Sequence, residues 1–291
     1  MQERSSGNGR GQRVRLLAVD LDGTLLNSQS EISSANLRAL TEASEQGVQV
    51  VVVTGRRFHS ALPFVRQIAC PVTIISSNGA RIGTPSGEVL YHDFLPSRMA
   101  QQVLKIAHEF RAYAVAMFDI PGRGQVILHT DAVEEGPLGW YLRSAPECLA
   151  QVADFEMAIA AAGLDPIQVL FGGPPQRISP IEPLLNHSEL APQVQLSWTL
   201  YPTRNTYLLD VMNRGCSKGR ALALWASRLG IAPGEVIAFG DNYNDFDMLE
   251  FAGYPVLMNN HCPGLEPAHW LRTLSNDEDG VAVAIRRFVL S

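Results

Sequence analysis

The run Val48-Gln-Val-Val-Val-Val53 is apolar on both of its faces, so as a strand it must be covered from two sides. Strands of that kind belong to parallel sheets, whose neighbours are joined by crossover helices. The flanking sequence supplies both. Leu16 to Val19 reads as an earlier strand and Val72 to Ile75 as a later one. Between them Ser33 can cap a helix to about Gln46, with Leu37, Leu40 and Ala43 at helical spacing and Gly47 as its stop. A second helix is predicted over about Phe58 to Ile68. Strand, helix, strand, helix, strand specifies an α/β fold with a parallel sheet and right-handed crossovers.

The rhythm returns late in the chain. Ser217 can cap a helix over Lys218 to Leu229, stopped by Gly230, and a strand comes next at Val236 to Phe239. Then come a short helix through Leu249, a strand at Pro255 to Met258, a weak strand near Leu271 to Leu274, and a last helix from Val281 to about Val289. Residues from about Ile82 to Arg204 break the pattern. They offer a hairpin (Arg81 to His92, turning at Pro85-Ser-Gly87) and a helix around Pro96 to Phe110. Strands are predicted at Ala114 to Phe118, Gln125 to His129, Ile167 to Phe171, Val194 to Leu200 and Thr206 to Met212, separated by Pro-rich loops. The expected division is a disordered polar tail over 1–13, a core over 14–81 and 205–291, and an inserted α+β module over 82–204.

Composition narrows the partners. Of 291 residues, 46% are hydrophobic and 18% charged, enough for a sizeable core. A net charge of −6 with no basic stretch argues against nucleic acid and acidic membrane surfaces. No apolar run approaches the ~20 residues that span a bilayer. Cys70, Cys148, Cys216 and Cys262 are scattered, with no CxxC pair and no His at ligand spacing, which suits free thiols in a reducing compartment. The expected location is cytoplasmic.

Ligands of open parallel sheets bind beyond the carboxyl ends of the strands, where the strand order reverses. The residues just after each strand are therefore the candidates for function. They are Asp20 and Asp22 with Gly23-Thr24, then Thr54-Gly55-Arg56, then Asn78-Gly79, then Asp241 with Asn244 and Asp245. Lys218, one of two lysines against 21 arginines, opens the helix that leads into the last of these strands. Two carboxylates about 4 Å apart repel by roughly 4 kcal/mol at an effective dielectric near 20. Such a cluster calls for a cation or a retained proton. Mg²⁺ suits carboxylates, a carbonyl and waters, and it commonly bridges to phosphate oxygens. Lys218 supplies a point charge for a phosphate, and Thr54 with the N–H groups of the glycine turns can hydrogen-bond its oxygens. Asp20 ends a rigid strand and suits a nucleophile that forms an aspartyl-phosphate. Asp22, in the turn, could move the protons.

Asp20-Leu-Asp-Gly-Thr24, Val53-Thr-Gly-Arg56, Ser217-Lys218-Gly219 and Gly240-Asp-Asn-Tyr-Asn-Asp245 resemble, in order and spacing, the four motifs of the haloacid dehalogenase (HAD) superfamily. The chain is most similar to its Cof-type phosphatases, of which Asn276-Asp-Glu-Asp-Gly-Val281 is also typical. The resemblance implies a Rossmann-like HAD core with an inserted α+β cap domain that selects the substrate. It makes Asp20 the nucleophile and Asp22 the general acid/base, and gives Mg²⁺ to Asp20, the Asp22 carbonyl and Asp241. It gives the phosphate to the Leu21 backbone, Thr54, Gly55, Lys218 and Asn244, with Asp245 in support near the metal. The second Asp argues for phosphoryl chemistry, since dehalogenases of the superfamily lack it. One stretch departs: relatives often carry Met-Gly-Asn-Ala with a later lysine, where this chain has Met258-Asn-Asn-His261 and Glu266.

The expectation is a Mg²⁺-dependent phosphatase of small phosphorylated metabolites, such as sugar phosphates, pyridoxal phosphate (PLP) or flavin mononucleotide (FMN). A phosphomutase of the same superfamily and a non-catalytic metabolite-binding regulator are the alternatives. Arg56 suits either substrate or surface, Asn78 suits a turn, and Asp247 suits an exposed helix position. Trp140, Tyr141, Phe171 and Trp198 suit the core of the cap. The seven histidines receive no role.

Overall fold

In the computed structural model, which describes residues 13–132, 139 and 146–290, the two-sided strands lie where their faces demand. Of the predicted tail only Arg13 is described, and Trp140 and Tyr141 lie outside the described residues. Strands β1 (Leu16–Val19), β2 (Gln49–Val53) and β3 (Val72–Ser76) pair in parallel through helices α1 (Ser34–Glu45) and α2 (Phe58–Val65). The Ser33 hydroxyl caps α1 by accepting from the Asn36 N–H at 3.1 Å. β4 (Arg81–Gly83) and β5 (Val89–His92) then add a hairpin to the edge of this sheet.

A second sheet is built from β6 (Ala114–Met117), β7 (Val126–His129), β8 (Leu149–Val152), β9 (Gln168–Gly173), β10 (Val194–Tyr201) and β11 (Thr206–Asn213). Helices α3 (Ser97–Ile106) and α4 (Phe155–Ala162) cover it. The chain then returns to the first sheet with α5 (Lys218–Arg228), β12 (Val236–Gly240), α6 (Phe246–Phe251), β13 (Tyr254–Leu257), β14 (Leu271–Arg272) and α7 (Gly280–Phe288). The first sheet runs β14-β13-β12-β1-β2-β3-β4-β5 and the second β10-β11-β9-β6-β7-β8.

Sheet membership differs from the expected boundaries at both junctions. The hairpin 81–92, placed beyond the core by the division at 82, pairs with β3 as Ile74↔Gly83 and Ile75↔Ile82, which buries Ile82 in the core. At the far junction Thr206–Asn213 pairs with β10 and β9 and belongs to the second sheet, although the division at 205 gives it to the core. A strand joins the sheet that buries its apolar face, and local pattern does not say which sheet that is.

Packing follows from alternation. Leu17 and Val19 of β1 face Leu40 of α1, Phe58 of α2 and Ile285 of α7, whereas Leu16 and Ala18 face Leu222 of α5 and Leu249 of α6. Each such fully buried side chain contributes roughly 1.5–3 kcal/mol, so these faces dictate where the strand ends lie. β1 is flanked by β2 and β12, and the connections run outward from it in both directions. The carboxyl ends of β1 and β12 are therefore the switch point of the sheet. The register pairs Val19 with Phe239 on one side and with Val52 on the other, so Asp20, Asp241 and Thr54 emerge in one row.

Candidate active site

Asp20 leaves the sheet with its N–H on the Phe239 carbonyl at 3.1 Å, which holds it against the mouth of β12. Across that mouth stand Asp241 and Asp245, and oxygens of the three carboxylates all lie within 4.8 Å of one another. All three acids are buried, at 4%, 7% and 0% exposure. Lys218, the first residue of α5, reaches into the cluster. Its Nζ donates to Asp20 Oδ1 and to Asp245 Oδ1, each at 2.7 Å. The Ser217 hydroxyl caps the same helix by accepting from the Arg220 N–H at 3.2 Å. Asp247 also serves that helix start: it is half-buried, contrary to the exposed position expected, and accepts from the Ser217 side chain and the Gly219 N–H.

Burial pushes Asp20 up to about 8, against the pull of Lys218 and with the help of the Asp245 and Asp22 charges. Asp241 is raised well above the ordinary carboxylate range, by burial first and then by Asp245 and Asp20. Burial alone would lower the Lys218 ammonium, but the two carboxylates outweigh it and hold the proton. With all three acids ionised, one lysine leaves two negative charges unbalanced, so without a cation burial retains protons on Asp20 and Asp241. Hard carboxylate oxygens converging in a site with excess negative charge fit a divalent cation of the Mg²⁺ kind.

The neighbouring side chains fix these acids. Gly23, at φ +82°, lets Asp241 approach so closely that a Cβ there would lie 2.4 Å from Asp241 Oδ2. Thr24 Oγ1 donates to Asp241 Oδ1 at 2.9 Å. Asp245 uses its other oxygen to accept the N–H groups of Asp241 and Asn242, each at 3.1 Å, so it shapes the loop as well as facing Lys218.

Asp22 does not join the buried carboxylates. Its side chain is 35% exposed and grips Arg56 in a two-pronged pair, Nη2 to Oδ1 at 2.5 Å and Nε to Oδ2 at 2.6 Å. Thr54 is fully buried; its hydroxyl oxygen accepts from the Arg56 N–H at 3.1 Å, which leaves the O–H proton to donate. Leu21 is buried, with its carbonyl taken by the Thr24 and Leu26 N–H groups. Asn244 lies beside Gly55 and donates from Nδ2 to Asn78 Oδ1 at 3.0 Å.

The second sheet closes over this side. Tyr201, at the end of β10, brings its phenol close enough that burial and the charges of Asp22, Asp20 and Asp241 raise it far above its usual range. Asn242 clasps β10 like an extra strand residue, accepting from the Leu200 N–H at 3.0 Å and donating to the Leu200 carbonyl at 2.9 Å. Arg81 pairs with Asp119 at 3.0 Å, and Arg57 hydrogen-bonds Gln125, so the 119–125 loop is held down as well.

Residues 17–285 match the haloacid dehalogenase-like hydrolases as a family. The chain belongs to that family. Two relatives extend the match. Phosphatase YwpJ of Bacillus subtilis is 30% identical over 92% of this chain and 98% of its own length. Pyridoxal phosphate phosphatase YbhA of Escherichia coli is 30% identical over 85% of this chain and 88% of its own. Among solved structures, a haloacid dehalogenase-like hydrolase from Bacteroides thetaiotaomicron superposes with a TM-score of 0.74 at 28% identity, covering 94% of this chain and 99% of that one. These findings bear out the predicted α/β fold of the HAD kind and the Cof-type resemblance, and the enzyme is a HAD phosphatase by family.

Within this HAD frame the departing loop has a visible task. Asn260 Nδ2 donates to the Gly23 carbonyl at 2.7 Å, and its Oδ1 accepts from the Asn276 N–H at 2.9 Å. Asn276 Nδ2 donates to the Leu26 carbonyl and Asp277 accepts from the Ser28 N–H, each at 2.8 Å. The Asn276–Val281 motif thus braces the turn that carries Asp22. Glu266 is 63% exposed and stands 4.0 Å from His261, away from the acids. Thr24 and Asn78 follow directly on strands whose ends carry the chemistry, so their polar side chains were open to recognition from sequence. Tyr201 was not, because only the pairing of a remote hairpin brings it here.

Proposed function

We propose that the chain is a Mg²⁺-dependent phosphomonoesterase of small phosphorylated metabolites that works through a phospho-Asp20 intermediate. The observation that carries this reading is the trio Asp20, Asp241 and Asp245 converging around Lys218 at the switch point of the sheet. Asp20, the Asp22 carbonyl and Asp241 would hold the cation, which when bound offsets the charge of the phosphoryl group.

The chain's own groups then divide the work. Asp20 has one oxygen on Lys218 and the other free of hydrogen-bond donors among the described residues, so it has an oxygen with which to attack phosphorus. Lys218 has a third N–H for a phosphate oxygen, and the Thr54 hydroxyl, the Leu21 and Gly55 backbone and the Asn244 amide supply neutral donors. The Asp22 side chain stands apart from the buried acids, where it can protonate the leaving oxygen and then take a proton from water. Arg56 holds it in one orientation by binding both of its oxygens. Tyr201 from β10 stands near Asp22 and Asp20, on the side that the second sheet covers.

The substrate class follows the relatives. A phosphorylated vitamin such as pyridoxal phosphate or a sugar phosphate would place its phosphate on Lys218, Thr54 and Asn244 and its ring toward the second sheet. The pyridoxal phosphate phosphatase of E. coli supports that class. Free cysteines and the absence, among the described residues, of a helix able to cross a membrane accord with a cytoplasmic enzyme.

A panel of phosphate esters assayed with and without Mg²⁺ tests the reading. Wild type is expected to release phosphate from some of them only with the metal, and Asp20→Asn from none. Absence of any release by wild type, or equal activity in the variant, defeats it. Conversion of a sugar phosphate into its isomer without release assigns a mutase instead.

A further inference from the structure

Asp210 is a buried acid for which the phosphoryl chemistry has no use. It stands on β11 in the inserted sheet at 4% exposure, and its two oxygens are met by amides, not by a cation. Oδ2 accepts from Asn78 Nδ2 at 2.9 Å, and Oδ1 accepts from Gln168 Nε2 on β9. Asn78 accepts in turn from Asn244 Nδ2 at 3.0 Å. A line of side chains therefore runs from the second sheet to the loop after β12.

The direction of that line is forced. While Asp210 is ionised the oxygen facing Asn78 can only accept, so Asn78 turns its NH₂ end to Asp210 and its carbonyl to Asn244. That carbonyl accepts as well, so Asn244 must turn its own NH₂ end to Asn78. Its Nδ2 then lies over Gly55, 3.4 Å from where a Cβ would stand, with one N–H unused among the described residues. A flipped amide would set an oxygen there instead, against the oxygens of a phosphate.

The backbone shows that the arrangement is held at a cost. Ser77 and Asn78 both lie in the left-handed region at φ 51°, a conformation that costs roughly 1–2 kcal/mol for a residue with a Cβ. Such strain persists where surrounding contacts impose it, and here the Ser77 and Asn78 N–H groups are tied to the carbonyls of Arg56 (2.8 Å) and Thr54 (3.0 Å).

We infer that Asp210 is a positioning residue which, through Asn78, fixes the Asn244 amide with its N–H toward the phosphate group. This rests on the phosphatase reading. It also means that the phosphate subsite is complete only when the inserted sheet is seated on the core.

The test uses p-nitrophenyl phosphate with Mg²⁺ as the assay and inorganic phosphate as the competing ligand. Asp210→Ala and Asn78→Ala each raise the Ki for phosphate about tenfold, and neither raises it further in an Asn244→Ala background. Asp210→Asn restores it to within about threefold, because it keeps an acceptor for Asn78 and offers a donor to Gln168 Oε1, which is buried without a partner among the described residues. Thermal melts show which variants fold. If Asp210→Ala does not fold, Asp210→Leu, which fills the same buried space without an acceptor for Asn78, is read in its place, alone and in the Asn244→Ala background. An unchanged Ki in folded single variants, or an equal rise in both backgrounds, overturns the inference. Wild type that neither hydrolyses the ester nor binds phosphate overturns the phosphatase reading itself.

Discussion

Replacing Lys218 by Met leaves Asp20 and Asp245 facing each other in a buried site without their shared ammonium. Removing one partner of a buried ion pair costs about 3–5 kcal/mol, and urea unfolding of Lys218→Met at pH 8 without Mg²⁺ is expected to show that loss. A loss under about 1 kcal/mol would mean that the acids do not depend on Lys218. Asp210 makes the opposite kind of prediction. Burial raises it to about 7, against the pull of Asn78 and of the Lys218 charge. An acid whose folded pKa lies above its ordinary value of 3.8 contributes its full stability below that value and loses it as pH rises through about 7. Asp210→Asn, which cannot ionise, should therefore gain on wild type between pH 4 and pH 8, by as much as about 4 kcal/mol. Paired melts across that range read the difference, and a gap independent of pH would contradict a buried titrating acid.

Among the elements, β10 is fastened to the core by the Asn242 side chain, which fills both the donor and acceptor places of Leu200. Asn242→Ala should speed hydrogen exchange of the Leu200 N–H by about tenfold, the equivalent of one buried hydrogen bond. Exchange at an unchanged rate would show that the second sheet is held by its other contacts alone. The same contrast between local and remote pairing explains what the sequence discloses. β1 to β3 and α1 are legible because two-sided apolar runs, the Ser33 cap and the Gly47 stop all act within a few residues. Lys218, Asp20 and Asp241 are legible because each marks the end of a strand or the start of a helix. β8, half exposed along Leu149–Val152, lacks a continuous apolar run and gives no such signal. The helix Phe155–Ala162 is not among the expected elements, although Asp154 caps it and Gly163 stops it. Tyr201 and Asp210 reach the site by strand pairing across the inserted sheet, so nothing near them in sequence announces a role.

At the scale of the whole molecule, two sheets with their own cores meet across a smaller apolar cluster, where Ala80 and Cys216 pack with Val115, Leu170 and Met212, and through a handful of polar ties. Asn213 Nδ2 donates to Asp93 at 2.6 Å at the return junction, Arg81 and Arg57 hold the 119–125 loop, and Asn242 holds β10. The first sheet carries the acids, and the second contributes the face opposite them. The four motifs fall on the first sheet and its loops, and under the proposed function the choice of substrate is left to the insertion. The central claim is that Asp20 itself carries the phosphoryl group between the two half-reactions. Acid-quenching the enzyme during turnover of a radiolabelled phosphate ester in Mg²⁺, with tryptic mapping of the product, tests it directly. Label on peptide 16–38 of wild type, lost in Asp20→Asn and absent without Mg²⁺, is the result expected. Steady phosphate release from a wild-type enzyme that never holds label on that peptide would contradict the account.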